Sequence, residues 1–174
     1  MKFICTAFFF ILIAGSPTFS QWKQGNKPVG DAPDRKVVNG FGGQLVVVED
    51  PNAFIQEWIK PETPKIKSAK NVKGDKVIGV LVLFAGCKTD NEGICKSEVD
   101  YTIYKPDGSL YTERKGQPLW KEKAPPEKNI QLGRAILAFR MEKDALHGEY
   151  KVKAKVSDLN GKISFELETK FNLK

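Results

Sequence analysis

The chain has few histidines and cysteines, the side chains that serve as base or nucleophile in many hydrolases. Its 174 residues include one histidine, His147, and three cysteines. Serine and cysteine hydrolases need an imidazole beside the nucleophile, and His147 precedes Gly148 in a predicted turn, a position typical of an exposed histidine. No glycine-rich phosphate-binding loop follows a predicted strand. These absences predict a protein that is not an enzyme and uses no cofactor.

Long apolar runs are also missing, apart from one at the N-terminus. Residues 3–14 carry no charge and follow Lys2, and small residues lead up to Gln21. This pattern is typical of a secretory signal peptide cleaved before Gln21. The run is shorter than the roughly 20 apolar residues that span a bilayer, although a retained N-terminal anchor is the alternative. We expect a secreted, periplasmic protein with no integral membrane span in the mature chain.

Cysteine is scarce, and its placement is informative. Cys5 lies within the N-terminal apolar run, whereas Cys87 and Cys95 lie in the body of the chain. Two cysteines in an oxidising compartment are expected to pair. A metal site at the cysteines would need further soft ligands, which the sequence does not offer. The sequence therefore predicts a Cys87–Cys95 disulfide.

Positive charge is in modest excess, with a formal net charge of +7. Lys151, Lys153 and Lys155 alternate along one predicted strand, but Glu166 and Glu168 face two of them across a predicted hairpin. Nucleic-acid binding would need an unneutralised basic surface. We therefore expect a solvated, internally paired face and no nucleic-acid partner.

The strongest positive signal is that hairpin, where apolar and polar residues alternate over 148–173 on either side of Asn160-Gly161. A period of two is typical of half-buried strands, and Asn-Gly suits a two-residue type I′ turn. The register places Lys155 opposite Glu166 and Lys153 opposite Glu168.

Strand signals recur along the chain. A second hairpin is predicted around Lys105–Gly108, where Pro106 suits the first turn position and Gly108 a left-handed bulge. Seven strands are predicted in all, over residues 44–49, 77–85, 98–104, 109–114, 134–142, 149–157 and 163–172. Seven short strands separated by turn signals are typical of an antiparallel β-sandwich.

One predicted strand differs from the others because it does not alternate. Residues 77–85 are apolar at every position, which indicates a strand covered on both faces. The expected cover is a short helix that is capped by Asp50 and has Pro51 in its first turn. Its apolar stripe consists of Phe54, Ile55, Trp58 and Ile59. A surface for a partner protein is the alternative.

These signals divide the chain into four parts. Residues 1–20 are expected to be the signal peptide, and residues 21–43, which show no period, a flexible arm. Residues 44–76 are expected to hold the first strand, the short helix and a basic linker that pack on the sandwich. Residues 77–174 are expected to form the sandwich itself.

Two patterns resemble known proteins. The segment from Asp144 through Tyr150 to Val152 resembles the turn into strand F of immunoglobulin-like domains, in which a tyrosine hydroxyl bonds back to the preceding turn. A longer pattern resembles a family of secreted proteobacterial proteins with immunoglobulin-like character, over about residues 44–174. Its elements are Cys87, Cys95, Tyr104–Gly108, Trp120, Gly148, Tyr150 and Val152. The resemblance implies an immunoglobulin-like sandwich and carries over no catalytic or binding residue.

Binding is the function class that remains, and the candidate surface is the long proline-rich loop of residues 116–129. Trp120 lies there with Pro118 and Lys121, and we expect the neighbouring strand of residues 111–115, with Tyr111, to assist it. An aromatic held by a stiff loop can dominate an interface. The alternative is that Trp120 packs across an open end of the sandwich. We expect a binding module whose partner is another envelope or extracellular protein.

Two other functions stay open. One is a structural part of an envelope or secretion assembly, joined through a strand edge. The other is a weak metal-dependent module, because Asp90, Asn91 and Glu92 could hold Ca²⁺, although they lack alternate ligand spacing and a distal bidentate glutamate.

Overall fold

The computed structural model describes residues 22–24, 27–61, 66–125, 130–142 and 144–174. The expected signal peptide lies outside the described residues. Within them, the chain forms one helix, α1, and eleven strands. The strands are β1 Lys23–Gln24, β2 Lys27–Pro28, β3 Arg35–Val38, β4 Phe41–Val48, β5 Asn71–Val72, β6 Val77–Ala85, β7 Ser97–Tyr104, β8 Leu110–Trp120, β9 Gln131–Arg140, β10 Gly148–Asp158 and β11 Ile163–Leu173, and α1 is Pro51–Trp58.

Two sheets pack face to face. The five-stranded sheet has the order β5-β11-β10-β7-β8 and the four-stranded sheet the order β3-β4-β6-β9, while β1 and β2 pair separately. Every strand pair is antiparallel except β5 beside β11. A sheet of β11, β10, β7 and β8 facing one of β4, β6 and β9 is the arrangement of an immunoglobulin-like sandwich. The predicted fold class is confirmed.

The predicted register of the last hairpin is also present. Lys155 lies opposite Glu166 and Lys153 opposite Glu168. The turn differs from the prediction, because pairing ends one step earlier and leaves the four-residue loop 159–162. The left-handed residue of that loop is Lys162, with φ 53°.

Contacts within and beyond the loop explain the longer turn. The Asp158 carboxylate accepts the Gly161 N–H at 3.0 Å. The Asn160 amide donates to the carbonyl oxygens of Lys88 and Ile94 at 3.0 and 2.8 Å. The Asn160 side chain therefore bonds to a loop that is distant in sequence, and this contact cannot be predicted from the residue preferences of turns alone.

Two segments that were expected to be irregular contain regular structure. Within the expected flexible arm 21–43, β3 forms and β4 begins at Phe41, which is fully buried. The long loop expected after residue 116 is also shorter, because β8 continues to Trp120. Gly116 interrupts β8 as a bulge with φ 60° and donates its N–H to the Asp100 carboxylate at 2.7 Å. The strand therefore bends at Gly116 rather than ending there.

The main core lies between the two sheets, and two buried tyrosines bond to backbone at its margins. The Tyr150 hydroxyl donates to the Leu146 carbonyl at 2.9 Å, so the expected tyrosine corner is present. The Tyr101 hydroxyl donates to the Ala135 carbonyl on β9 at 2.8 Å, and burial raises its pKa.

A second apolar cluster lies on the outer face of the four-stranded sheet. Its buried members are Trp22, Val46, Val48, Leu81 and Leu83. Phe54 and Trp58 of α1 pack against this cluster, so β6 is buried on both faces from residue 78 to residue 85. Ile59, expected in the same stripe, lies beyond the helix and is 70% exposed.

The helix approaches the sheet closely at one point. Asp50 caps α1 by accepting the Ala53 N–H at 2.9 Å, which satisfies a backbone donor at the start of the helix. Pro51 then lies over Gly79 of β6, where an added Cβ would come within 2.8 Å of the proline ring. Only glycine leaves room for this approach.

Candidate functional site

The end of β8 and the start of β9 meet at one corner of the sandwich. Leu119 is fully buried there and packs over Gly133, where a side chain would overlap it. Trp120 follows on β8, and Arg134 follows Gly133 on β9. We call Trp120, Lys121, Glu122, Lys123 and Arg134 the Trp120 corner.

Trp120 is half-buried, and its ring packs against two other side chains. The ring contacts the core residue Phe84, with ring centroids 5.5 Å apart and planes tilted by 57°. The Arg134 guanidinium lies over the ring, 5.0 Å from its centroid. The indole N–H donates to the Lys123 carbonyl at 3.1 Å. Trp120 therefore closes the end of the core and also belongs to the surface.

Arg134 has a second partner in Glu122. Nη2 of Arg134 donates to both carboxylate oxygens of Glu122, each at 3.0 Å. The two side chains are 61% and 56% exposed, so solvent screens their attraction. An aromatic ring, a guanidinium and a carboxylate thus meet at an exposed point of the surface.

The disulfide lies beside this corner. Cys87 and Cys95 are bonded, with Cα atoms 5.9 Å apart, as predicted. The Cys95 N–H donates to the Glu122 carbonyl at 2.9 Å, and the Ala124 N–H donates to the Gly93 carbonyl at 3.0 Å. The disulfide loop, residues 87–95, therefore pairs with the segment that follows Trp120.

The same loop is held from its other side by the β10–β11 turn. The Asp158 carboxylate, which is fully buried, accepts the Lys88 N–H at 2.8 Å. Asn160 donates to two carbonyls of the loop, as described above. The corner is consequently supported by the disulfide, by backbone pairing and by a buried carboxylate, which restricts its conformational freedom before any partner binds.

Asp90, the first carboxylate of the acidic run in the disulfide loop, bonds to groups of the protein itself. One oxygen of Asp90 accepts the N–H groups of Glu92 and Ile94, each at 3.0 Å. The other oxygen accepts from the Lys96 ammonium at 2.9 Å, and Lys96 lowers the pKa of Asp90. Across the described ranges, no group of three or more histidine, cysteine, aspartate or glutamate side chains is placed to hold a metal ion.

The structure brings some of the predicted binding residues together and separates another. Pro118 and Lys121 flank Trp120 and are exposed, and Lys121 reaches Glu98 at 3.5 Å. Tyr111 lies nine residues earlier on β8, roughly 30 Å away at the rise of an extended strand. The structure therefore does not bring Tyr111 and Trp120 together.

Tyr111 instead belongs to the opposite end of the sandwich. Its ring packs on Phe139 and Tyr150, with centroids 5.6 and 5.8 Å away. Burial raises the pKa of Tyr111, and the nearby Glu142 carboxylate adds to that effect.

Arg134 and Glu122 are the site residues that sequence analysis missed. Arg134 precedes the clear alternation of its strand, and Glu122 is one acid among several lysines in a proline-rich stretch. Neither has a distinctive neighbour in sequence. Only the approach of β9 to β8 places them beside Trp120.

The lysines of the five-stranded sheet are more fully compensated than expected. Lys155 lies between Asp100 on β7 and Glu166 on β11. Lys170 on β11 bonds Glu149 at 2.8 Å, and this contact raises the pKa of Lys170. The outer face of this sheet is therefore mixed in charge.

No helix among the described residues combines the length and the apolar character needed to cross a membrane.

Comparison with known proteins finds solved structures of low overall similarity. No family model and no curated protein matches the chain. One similar solved structure is the CARDB domain of the PF1109 protein from Pyrococcus furiosus, in complex with di-metal ions. It is 14% identical with a TM-score of 0.36, over 76% of this chain and 89% of that one. Another is a family 123 glycoside hydrolase from Clostridium perfringens, 10% identical with a TM-score of 0.42, over 76% of this chain but only 27% of the enzyme.

Proposed function

We propose that the protein is an exported, non-enzymatic binding module that recognises another envelope or extracellular protein through the Trp120 corner. The N-terminal sequence is typical of a secretory signal, and a disulfide suits an oxidising compartment such as the periplasm. The absence of a membrane-crossing helix from the described residues is compatible with this role.

The arrangement around Trp120 is the observation that carries the proposal. Tryptophan and arginine are the residues most enriched among those that dominate protein interfaces. Here they are in contact, 5.0 Å from guanidinium carbon to ring centroid. Phe84 and the disulfide loop fix the ring beforehand, which reduces the entropy lost on binding.

The structural alternative, assembly through a strand edge, finds less support at β8, the edge nearest the Trp120 corner. β8 lies at the edge of the five-stranded sheet, and it carries Glu113, Arg114 and Lys115 followed by the bulge at Gly116. Charges and bulges on an edge strand hinder pairing with another strand.

The metal-dependent alternative is weakened because Asp90 already binds two backbone N–H groups and Lys96.

Site-specific photocrosslinking tests the proposed surface. A photoreactive amino acid replaces Lys121 in the corner, Leu110 at the opposite end or Lys155 on the five-stranded sheet; all three are exposed. After irradiation in the native envelope fraction, we expect a protein adduct from position 121. Adducts from position 110 or 155 alone would place binding elsewhere, and no adduct from any of them would contradict the proposal.

A further inference from the structure

The Trp120 corner contains a complete set of contacts for a guanidinium group, and the protein's own Arg134 fills it. The ring of Trp120 supplies an aromatic face, and Glu122 supplies a carboxylate with both oxygens 3.0 Å from one guanidinium nitrogen. We infer that Arg134 occupies the place that an arginine side chain of the partner takes in the complex. This inference rests on the proposed function and specifies the partner's chemistry.

The contacts favour arginine over lysine. A guanidinium is planar, is weakly hydrated and stacks on aromatic rings while donating to a carboxylate. An ammonium is a compact, strongly hydrated charge and gains less from a flat ring. The partner is therefore expected to present an arginine rather than a general basic patch.

Arg134 can leave the ring without disturbing the fold. Its side chain is 61% exposed and that of Glu122 is 56% exposed, and exposed ion pairs and cation–π contacts are weak. The ring itself is fixed by Phe84 and by its bond to the Lys123 carbonyl. Removal of Arg134 should therefore expose a preformed site.

Arg140 provides a matched control on the same strand. Its side chain is 63% exposed and has one carboxylate neighbour, Asp75, at 3.7 Å. Arg134 and Arg140 thus resemble each other in exposure and charge. They differ because Arg134 lies over the Trp120 ring.

Titration with small amides tests the inference. N-acetyl-arginine amide is added to the wild type, Arg134→Ala and Arg140→Ala, and binding is followed by the NMR signal of the Trp120 indole N–H, assigned with Trp120→Phe. We expect an apparent Kd about fivefold lower for Arg134→Ala than for the wild type, because an internal contact of this kind occupies the site most of the time. Arg140→Ala should match the wild type.

Two further titrations make the test specific. N-acetyl-lysine amide should bind Arg134→Ala more weakly than the arginine amide does. Adding Glu122→Gln to Arg134→Ala should weaken arginine binding, because the carboxylate charge is lost. Should Arg134→Ala lose its dispersed spectrum, Arg134→Gln is titrated instead.

Several outcomes would overturn the inference. They are no saturable shift in the Arg134 variant, the same Kd in variant and wild type, or equal response to the two amides. The photocrosslinking of the wild-type chain is independent of these titrations. An adduct from position 121 together with a failed titration would therefore reject the arginine partner and leave the proposed surface standing.

Discussion

The outer faces of the two sheets differ, although both sheets contribute to one core. The five-stranded sheet presents alternating lysine and glutamate side chains to solvent, as on β10 and β11. The four-stranded sheet carries Val46, Val48, Leu81 and Leu83, all buried beneath α1 and Trp22. The outer face of the five-stranded sheet is thus open to solvent, whereas α1 and Trp22 add a partial third layer to the outer face of the four-stranded sheet.

This difference shows what hydrophobic periodicity measures. A strand with one wet face alternates, as β10 does, whereas β6 is apolar at every position because both of its faces are covered. The pattern therefore reports the number of layers packed on a strand as well as its secondary structure.

Leu81→Ala should produce the largest loss among the variants that test this difference. Leu81 lies on the outer face of β6 and is fully buried, and truncation of a buried leucine costs about 2–5 kcal/mol. We expect a loss of about 3 kcal/mol in the free energy of unfolding, measured by urea denaturation. A loss below about 0.5 kcal/mol, as at an ordinary surface site, would show that the third layer does not cover this strand in solution.

Gly79→Ala tests how closely the third layer approaches. The added Cβ would meet Pro51 at 2.8 Å and Val48 at 3.0 Å, and overpacking of this kind costs about 1–3 kcal/mol. Gly74→Ala is the matched control, because no atom lies within 4 Å of the corresponding position. If the two variants unfold at the same urea concentration, α1 does not pack on Gly79.

Trp58→Ala should cost less than complete burial would imply. Truncation of a fully buried tryptophan costs about 3–5 kcal/mol. In the structure, Trp58 is half-buried and stacks on Phe54, with ring centroids 5.9 Å apart. We therefore expect about 2 kcal/mol, and a change below about 0.5 kcal/mol would show that the helix contributes little to the cover.

The features of the fold that could be predicted from the sequence are those determined by contacts between residues close together in the chain. The alternation of β10 and β11 gave their register correctly, because a half-buried strand tolerates no slip by one residue. The turn between them was wrong in detail, because Asn160 bonds to the disulfide loop.

The candidate site shows the same dependence on distant contacts. The disulfide followed from the cysteine count, and Trp120 stood out as an aromatic next to prolines and lysines. Arg134 and Glu122 did not, because a pair formed between a strand and a loop leaves no spacing in the sequence. The extension of β8 past Gly116 was missed because a bulge has the same local signature as the end of a strand.

Asp90→Asn tests whether the ion pair between Asp90 and Lys96 stabilises the folded state more than the ion pairs on the exposed face of the five-stranded sheet do. Lys96 lowers the pKa of Asp90, so the ionised carboxylate stabilises the folded state above its ordinary pKa of about 3.9, and that contribution is lost as the pH falls through the lowered value. Asparagine keeps an oxygen for the two backbone N–H groups and removes the charge. We expect the variant to melt at a lower temperature than the wild type at pH 6, and the difference to shrink as the pH falls below the ordinary pKa of the carboxyl group. A difference independent of pH would show that Lys96 is not the cause.

Lys155→Ala should have the smallest effect. Lys155 is exposed on β10, with Asp100 and Glu166 opposite it on the two neighbouring strands. Solvent screens such charges, and surface substitutions of this kind change the free energy of unfolding by less than about 0.5 kcal/mol. Urea denaturation of Lys155→Ala beside Leu81→Ala compares the two outer faces directly. A loss of about 2 kcal/mol or more at Lys155 would mean that the lysine stem packs on its neighbours as apolar surface, and the contrast between a bare face and a covered one would no longer hold.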